Sequence, residues 1–167
     1  NVTADNPGSD TGPVFAPDGK SLVYRRTRSA VGAGESAKLW RHELASGANT
    51  PLTEAHDYAI DEVVFTPDGS ALWVTAEDKG AVGVFRVPAA GGAPQPVLRT
   101  GSASGLQAQA GNVGLLHTTA SRPDELFALE PATGAHTHSH MPILQSPAEA
   151  IHSSGGGALE LLLGIGL

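Results

Sequence analysis

Three histidines alternate with small residues at His136, His138 and His140. On an extended strand alternate side chains share one face, so the three imidazoles would stand in a row. Neutral imidazole is a ligand for zinc, copper or nickel. Side chains in a row along one strand spread apart, however, and do not converge tetrahedrally on one ion. A fourth ligand would have to come from His117 or His152. The expectation is a solvated strand or loop, with no metal and no cofactor assigned, and adventitious metal binding by the run as the alternative.

Nucleophilic hydrolysis would need Gly-x-Ser-x-Gly on a sharp strand-to-helix turn that exposes the serine hydroxyl. No such pentapeptide occurs in these 167 residues. Gly101-Ser102-Ala103-Ser104-Gly105 comes nearest, but its central residue is Ala103 and no helical pattern follows it. It reads as a turn, and no catalytic residue is assigned. Asp18 and Asp68 recur in Pro-Asp-Gly runs, which raises calcium. Calcium takes about six oxygens or more from a dense cluster, and no such run appears. Each is more simply a turn residue whose carboxylate accepts from nearby backbone. Trp40 and Trp73 fall at strand positions and are expected to pack between sheets rather than to cage a ligand. Asn1-Val2-Thr3 has the form of a glycosylation sequon, a permissive pattern to which no use is assigned.

The elements that must position these residues repeat. Gly12-Pro13-Val14-Phe15-Ala16-Pro17-Asp18-Gly19 is followed by Lys20-Ser21-Leu22-Val23-Tyr24, and Asp61 to Gly69 is followed by Ser70-Ala71-Leu72-Trp73-Val74. Proline presets the first corner, Asp bonds its own backbone and Gly accepts positive φ, so each run is a hairpin. Phe15 and Phe65 are 50 positions apart. Residues 1–12 read as a polar loop. Strands are predicted at 13–15, 21–26, 38–44 and 50–53, then at 60–65, 71–75, 81–87 and 95–98. Thr27 to Ala37 is read as a loop, and Glu77-Asp78-Lys79-Gly80 as a charged turn. A less regular third unit has strands at 105–110, 113–119 and 125–130. The third-strand aromatics Trp40, Phe85 and Phe127 lie 45 and 42 residues apart, the spacing of a four-stranded propeller blade. A β-sandwich also has short strands and regular turns, but it does not explain a recurring four-strand order.

Composition bounds the partners. The formal charge is −7, and Lys and Arg total 10, too few for the cation clusters that neutralise nucleic-acid phosphates. Cysteine is absent, which excludes disulfides and thiolate metal sites. Neither a signal peptide nor a membrane span is visible, and the apolar run 158–167 is half the ~20 residues that a bilayer requires. The chain opens Asn1-Val2-Thr3-Ala4 without Met, as a processed protein or a fragment would.

Asp57-Tyr58-Ala59-Ile60-Asp61-Glu62-Val63-Val64-Phe65-Thr66-Pro67-Asp68-Gly69, with Val74 to Gly80, resembles the propeller of prolyl oligopeptidase family serine peptidases. Within that family it is most similar to the dipeptidyl peptidase V-like and acylaminoacyl-peptidase branch. Thr3-Ala4-Asp5-Asn6-Pro7 and Ser121-Arg122-Pro123-Asp124-Glu125-Leu126-Phe127 extend the likeness, which covers residues 3–134. Pro-Asp-Gly alone is shared by TolB-like propellers. The resemblance implies a propeller that caps an α/β-hydrolase domain and screens peptides on their way to a Ser-Asp-His triad. It implies a periplasmic or secreted setting. Relatives place an acidic segment near Glu35, which suggests a hold on a substrate amino terminus, although Ala37 and Lys38 depart from that pattern.

The expected fold is all-β: a partial β-propeller of about three four-stranded, TolB-like blades, at approximately 13–53, 60–99 and 105–134, with an irregular tail over 135–167. The expected function is the non-catalytic propeller part of such a peptidase, filtering peptides for a hydrolase domain outside this stretch. The alternative is a TolB-like module that binds a protein or peptide. A truncated product without function is the third reading. Neither nucleic acid nor membrane is expected as a partner. Open blade flanks are expected to present apolar surface and to favour self-association, because repeat units bury their cores by stacking.

Overall fold

The two Pro-Asp-Gly runs each close a tight hairpin. In the computed structural model, which describes residues 1–29, 34–109, 112–129 and 136–138, Gly19 N donates to Ala16 O and Gly69 N to Thr66 O, both at 2.9 Å. Both glycines hold φ near +70°, which a side chain would strain. The chain then meanders. β1 (Ser9–Phe15), β2 (Ser21–Thr27), β3 (Lys38–Glu43) and β4 (Asn49–Pro51) form one antiparallel sheet in that order. β5 (Ala59–Phe65), β6 (Ala71–Asp78), β7 (Ala81–Pro88) and β8 (Gln95–Leu98) repeat it. β9 (Ser102–Gln109), β10 (Asn112–Thr119), β11 (Arg122–Leu129) and β12 (His136–His138) form a third meander. The second and third are joined edge to edge by a single parallel pairing, Val82 with Ser102. This is an all-β partial propeller, and no helix occurs among the described residues.

Four expectations are corrected. The opening loop ends earlier than residue 12: β1 starts at Ser9, because Asp10 lies opposite Arg26 and a bulge at Gly12–Pro13, with Gly12 at φ +59°, carries the pairing past the proline. β6 runs on through Glu77 and Asp78, leaving only Lys79 and Gly80 as the turn. Both have positive φ, the conformation that matches the twist of a two-residue hairpin. The stretch 101–105 is not a turn, since Ser102 to Gly105 belong to β9. Finally, the tail does not start irregularly at 135: His136 to His138 pair with Leu129 to Phe127 as the outer strand of the third meander. Residues 30–33 of the loop after β2, 110–111 between β9 and β10, 130–135, and the run 139–167 lie outside the described residues.

Two apolar cores lie between the sheets. The first joins sheets one and two through Val23, Leu39, Leu52, Ile60, Phe65, Leu72, Val74, Phe85 and Val87. The second joins sheets two and three through Trp73, Val84, Leu98, Leu106, Val113, Leu115, Phe127 and Leu129. β6 is therefore buried on both faces, and Ala71 to Ala76 read as an unbroken buried run instead of an alternating one. The outer faces differ. On the third blade Leu116 and Leu126, cross-strand partners, are about 40% exposed. On the first blade Phe15, paired with Leu22, is 62% exposed, but the same face also carries Tyr24, Arg26, Trp40 and His42.

Candidate functional site

One end of the strand stack collects the polar groups. β2, β6 and β10 end there, and β3, β5, β7, β9 and β11 begin there, while the Pro-Asp-Gly turns occupy the opposite end. A half-open cavity of about 470 Å³ lies at that end between the first two blades, lined by Arg25, Glu35, Ser36, Ile60, Asp61 and Glu77. Arg25 Nη1 crosses from the first blade to donate to Asp61 Oδ1 at 2.9 Å and to the Asp61 backbone oxygen. One guanidinium and three carboxylates thus line the cavity, a negative excess that suits a cationic or hydrogen-bond-donating group.

Glu35 lines this cavity, but its Oε2 already accepts the backbone N–H groups of Arg28 at 2.9 Å and Ser29 at 2.6 Å. These bonds, that from Arg28 foremost, hold its carboxyl below the usual range. Its clearest role is to hold the loop after β2. Asp61 and Glu77, not singled out from sequence, face the same space.

A second cavity, of about 390 Å³, lies at the same end beside the third blade, lined by Leu98, Thr100, His117, Ser121, Arg122 and Glu125 among others. His117 is buried there at 7% exposure. Its Nε2 donates to Thr100 O at 2.6 Å, and Phe127 meets the ring edge-on with centroids 5.1 Å apart. Gly101 is required by this approach: a Cβ there would stand 2.1 Å from Thr118 O and 2.7 Å from His117 Nε2. This close contact explains the first glycine of the stretch that sequence alone suggested as a turn.

The remaining candidates separate. Asp68 Oδ1 accepts from Thr66 Oγ1 at 2.6 Å, Ser70 Oγ at 3.0 Å and Ser70 N at 3.1 Å, and Asp18 Oδ1 accepts from Lys20 N at 3.0 Å. Both are turn residues, and among the described residues no group of three His, Asp or Glu stands together as a metal site. Thr66, ahead of Ser70, holds the Asp68 carboxyl down at about 2. Trp73 is fully buried between blades as expected, whereas Trp40 is half-buried on the first blade's free face. There Arg26 lies 4.6 Å from its ring and Arg28 5.5 Å, and its Nε1 donates to Glu54. His136 and His138 sit on β12. His140 and His152 lie outside the described residues.

Sequence reading missed the interblade contacts. Glu62 on β5 accepts from the backbone of β9, and Arg41 Nη1 donates to Ala89 O at 3.3 Å. A charged residue inside an apolar strand run was the available signal.

Comparison with known proteins gives a partial but consistent answer. No family model matches the chain. Dipeptidyl-peptidase 5 of Trichophyton schoenleinii is 34% identical over 85 residues, 49% of this chain but only 11% of that protein. The chain therefore spans a small part of the relatives it matches, and its resemblance to the dipeptidyl peptidase V-like branch holds over about half its length. Among solved structures, TolB from Acinetobacter baumannii matches 75% of this chain and 31% of its own at a TM-score of 0.57 and 20% identity. The β-propeller domain of the Trilobed protease from Pyrococcus furiosus matches 77% of this chain and 38% of its own, at 0.58 and 19%. These likenesses carry the fold: a β-propeller of the kind found in TolB and in peptidases.

Proposed function

We propose that this chain is the non-catalytic propeller portion of a dipeptidyl-peptidase-like serine hydrolase, and that its polar end controls which peptides reach the hydrolase serine. The similarity to dipeptidyl-peptidase 5 carries this reading. The two cavities support it, because both open at one end and offer carboxylates, hydroxyls and a guanidinium to a peptide backbone. The chain itself contains no Gly-x-Ser-x-Gly, and on this reading the hydrolase serine is supplied from outside these 167 residues.

The polypeptide that carries this stretch, taken at its native length, tests the reading in two steps. A fluorophosphonate probe should label an active serine in it. Peptides of increasing length are then compared in the wild type and in Arg25→Ala, which loosens the seam between the first two blades. The variant should cleave longer peptides faster while a dipeptide chromogenic substrate is turned over unchanged. Labelling without any change in length preference would remove the filtering role. Absence of labelling would remove the peptidase context and leave the alternative, a TolB-like module that binds a protein or peptide.

A further inference from the structure

We propose that Asp18 is a site of spontaneous isoaspartate formation, and that the matching Asp68 is protected by a side-chain clamp which the first turn lacks. Both aspartates precede a glycine, whose missing side chain leaves its nitrogen open to the aspartyl carboxyl. In the reaction the Gly19 nitrogen attacks Asp18 Cγ. The N–Cγ bond forms, the Cγ–OH bond of the protonated carboxyl breaks, and the amide proton leaves with that hydroxyl as water. Water then re-opens the succinimide at the former backbone carbonyl, so the chain runs through Cγ and the α-carboxyl is freed. Rotation of the side chain towards the glycine nitrogen is the step that the fold permits or blocks.

The two turns share their backbone. Each glycine N–H is bonded at 2.9 Å to the residue three before it, and each aspartate Oδ1 accepts the N–H two residues on, at 3.0 Å from Lys20 and 3.1 Å from Ser70. The side chains differ. Thr66 Oγ1 at 2.6 Å and Ser70 Oγ at 3.0 Å add two donors to the same Asp68 oxygen. Thr66 is itself fixed, 2% exposed and with Ala71 N donating to its Oγ1 at 3.0 Å. At the first turn Ala16 and Lys20 hold those positions, and neither has a hydroxyl. Among the described residues, Asp18 is held by the Lys20 N–H alone. The low value of the Asp68 carboxyl acts in the same direction, because the protonated form reacts. Cover differs as well: a Cβ at Gly69 would meet Pro17 Cδ at 3.5 Å, whereas one at Gly19 would meet nothing within 4 Å beyond its chain neighbours. Conversion at Asp18 adds a backbone atom to the β1–β2 hairpin. It strains the bonds from Ala16 N to Ser21 O and from Leu44 N to Lys20 O, so ageing loosens the first blade at this turn.

The full chain, aged for weeks in mildly acidic buffer at physiological temperature, then digested and read by electron-transfer fragmentation, tests the site. Isoaspartate should accumulate at Asp18 at least about tenfold faster than at Asp68, the rate equivalent of one hydrogen bond to a charged acceptor. Thr66→Ala should speed conversion at Asp68, with circular dichroism checking that the fold persists. Lys20→Ser, which returns one hydroxyl at an exposed position, should slow conversion at Asp18. In urea both sites read Pro-Asp-Gly without a clamp, and their rates should converge. Equal rates in the folded chain, no conversion at Asp18, or a difference that persists in urea would each overturn the proposal.

Discussion

The carboxylate of Glu62, on β5, accepts two backbone N–H groups of β9: Gly105 N at 3.0 Å to Oε1 and Leu106 N at 2.8 Å to Oε2. Gly105 has φ +65°, and the β9–β10 register shifts between Gly114 and Leu116, so the local kink turns both donors away from the β10 ladder. Thr75 Oγ1 accepts from Glu62 N at 3.0 Å, which anchors the glutamate's own backbone. The parallel pairing of Val82 with Ser102 is a further tie between these blades. Bonds to a charged acceptor exceed neutral ones, so Glu62→Ala should lower the unfolding free energy by about 1–3 kcal/mol. Glu62→Gln, which keeps one acceptor, should cost less. Urea melts of the two variants check the order, and an unchanged midpoint in Glu62→Ala would show that the contact contributes nothing.

Trp73 and Trp40 occupy strands of adjacent blades but should respond differently to truncation. Trp73 is fully buried in the second core, and Trp73→Ala should cost about 3–5 kcal/mol, a large part of a small domain's stability. Its Nε1 is buried with no hydrogen-bond partner among the described residues. Trp73→Phe removes that unpaired donor along with part of the ring, so its cost should stay below about 1.5 kcal/mol. Trp40→Phe gives up the bond to Glu54 at a half-exposed site and should cost less than about 1 kcal/mol. Thermal midpoints of the three variants test the ranking. A Trp73→Phe loss as large as that of Trp73→Ala would refute the account of the indole nitrogen.

How much of this was legible in the sequence follows from the repeat. The hairpins were readable because Pro-Asp-Gly writes its turn locally, and β8 because 95–98 is bounded by turn residues on both sides. Side-chain environment was not readable, because it depends on which blade stands next. Phe15 and Phe65 hold the same repeat position, yet Phe65 is 7% exposed against the first blade and Phe15 is 62% exposed. The register also matches Tyr24 to Val74, Arg26 to Ala76, Trp40 to Phe85 and His42 to Val87. The second blade fills those positions with apolar groups that face a neighbour, and the first replaces them with amphipathic ones. The outer face of the first blade is therefore amphipathic, with Phe15 exposed among these groups. For the cavities, only Glu35 and His117 could be named in advance, since Asp61 and Glu77 look like ordinary strand-edge charges until Arg25 crosses to them.

The turn around Asp68 predicts an acid limb. Its carboxyl is held at about 2 in the folded chain, against 3.8 for the free group, by Thr66 first and then Ser70. A group whose folded value is depressed stabilises the fold above its unfolded value and loses that contribution as pH falls toward the folded value. The window is therefore pH 4 down to 2. Stability of the wild type should fall through it, and Asp68→Asn should flatten that part of the profile while leaving neutral pH less stable than the wild type. Denaturation midpoints at half-unit steps between pH 5 and 2 check this. An Asp68→Asn profile parallel to the wild type would show that the turn carboxylate does not supply the effect.

On the free face of the first blade, Arg26 is 4% exposed and gives its donors to two aspartates, Nε to Asp10 Oδ1 at 2.8 Å and Nη1 to Asp5 Oδ2 at 2.9 Å. Asp10 foremost, with Asp5, holds the guanidinium well above its ordinary value, so it stays charged at every accessible pH. Asn49 Nδ2 donates to Val2 O at 3.2 Å and Asn6 Nδ2 to Thr27 O at 3.0 Å, so residues 1–8 lie over this face. Loss of Arg26 leaves Asp10, with a side chain only 13% exposed, without its counter-charge, and it opens the space beside Trp40. Arg26→Ala should cost about 2–3 kcal/mol, below the full penalty of a buried pair because Asp5 remains half in water. The double variant Arg26→Met with Asp10→Leu removes both charges and fills the space, and it should recover most of the loss. Urea melts of the single and double variants decide the matter. If the double variant is no more stable than Arg26→Ala, the residual buried charge is not the origin of the cost, and the loss must come from packing against Tyr24 and Trp40.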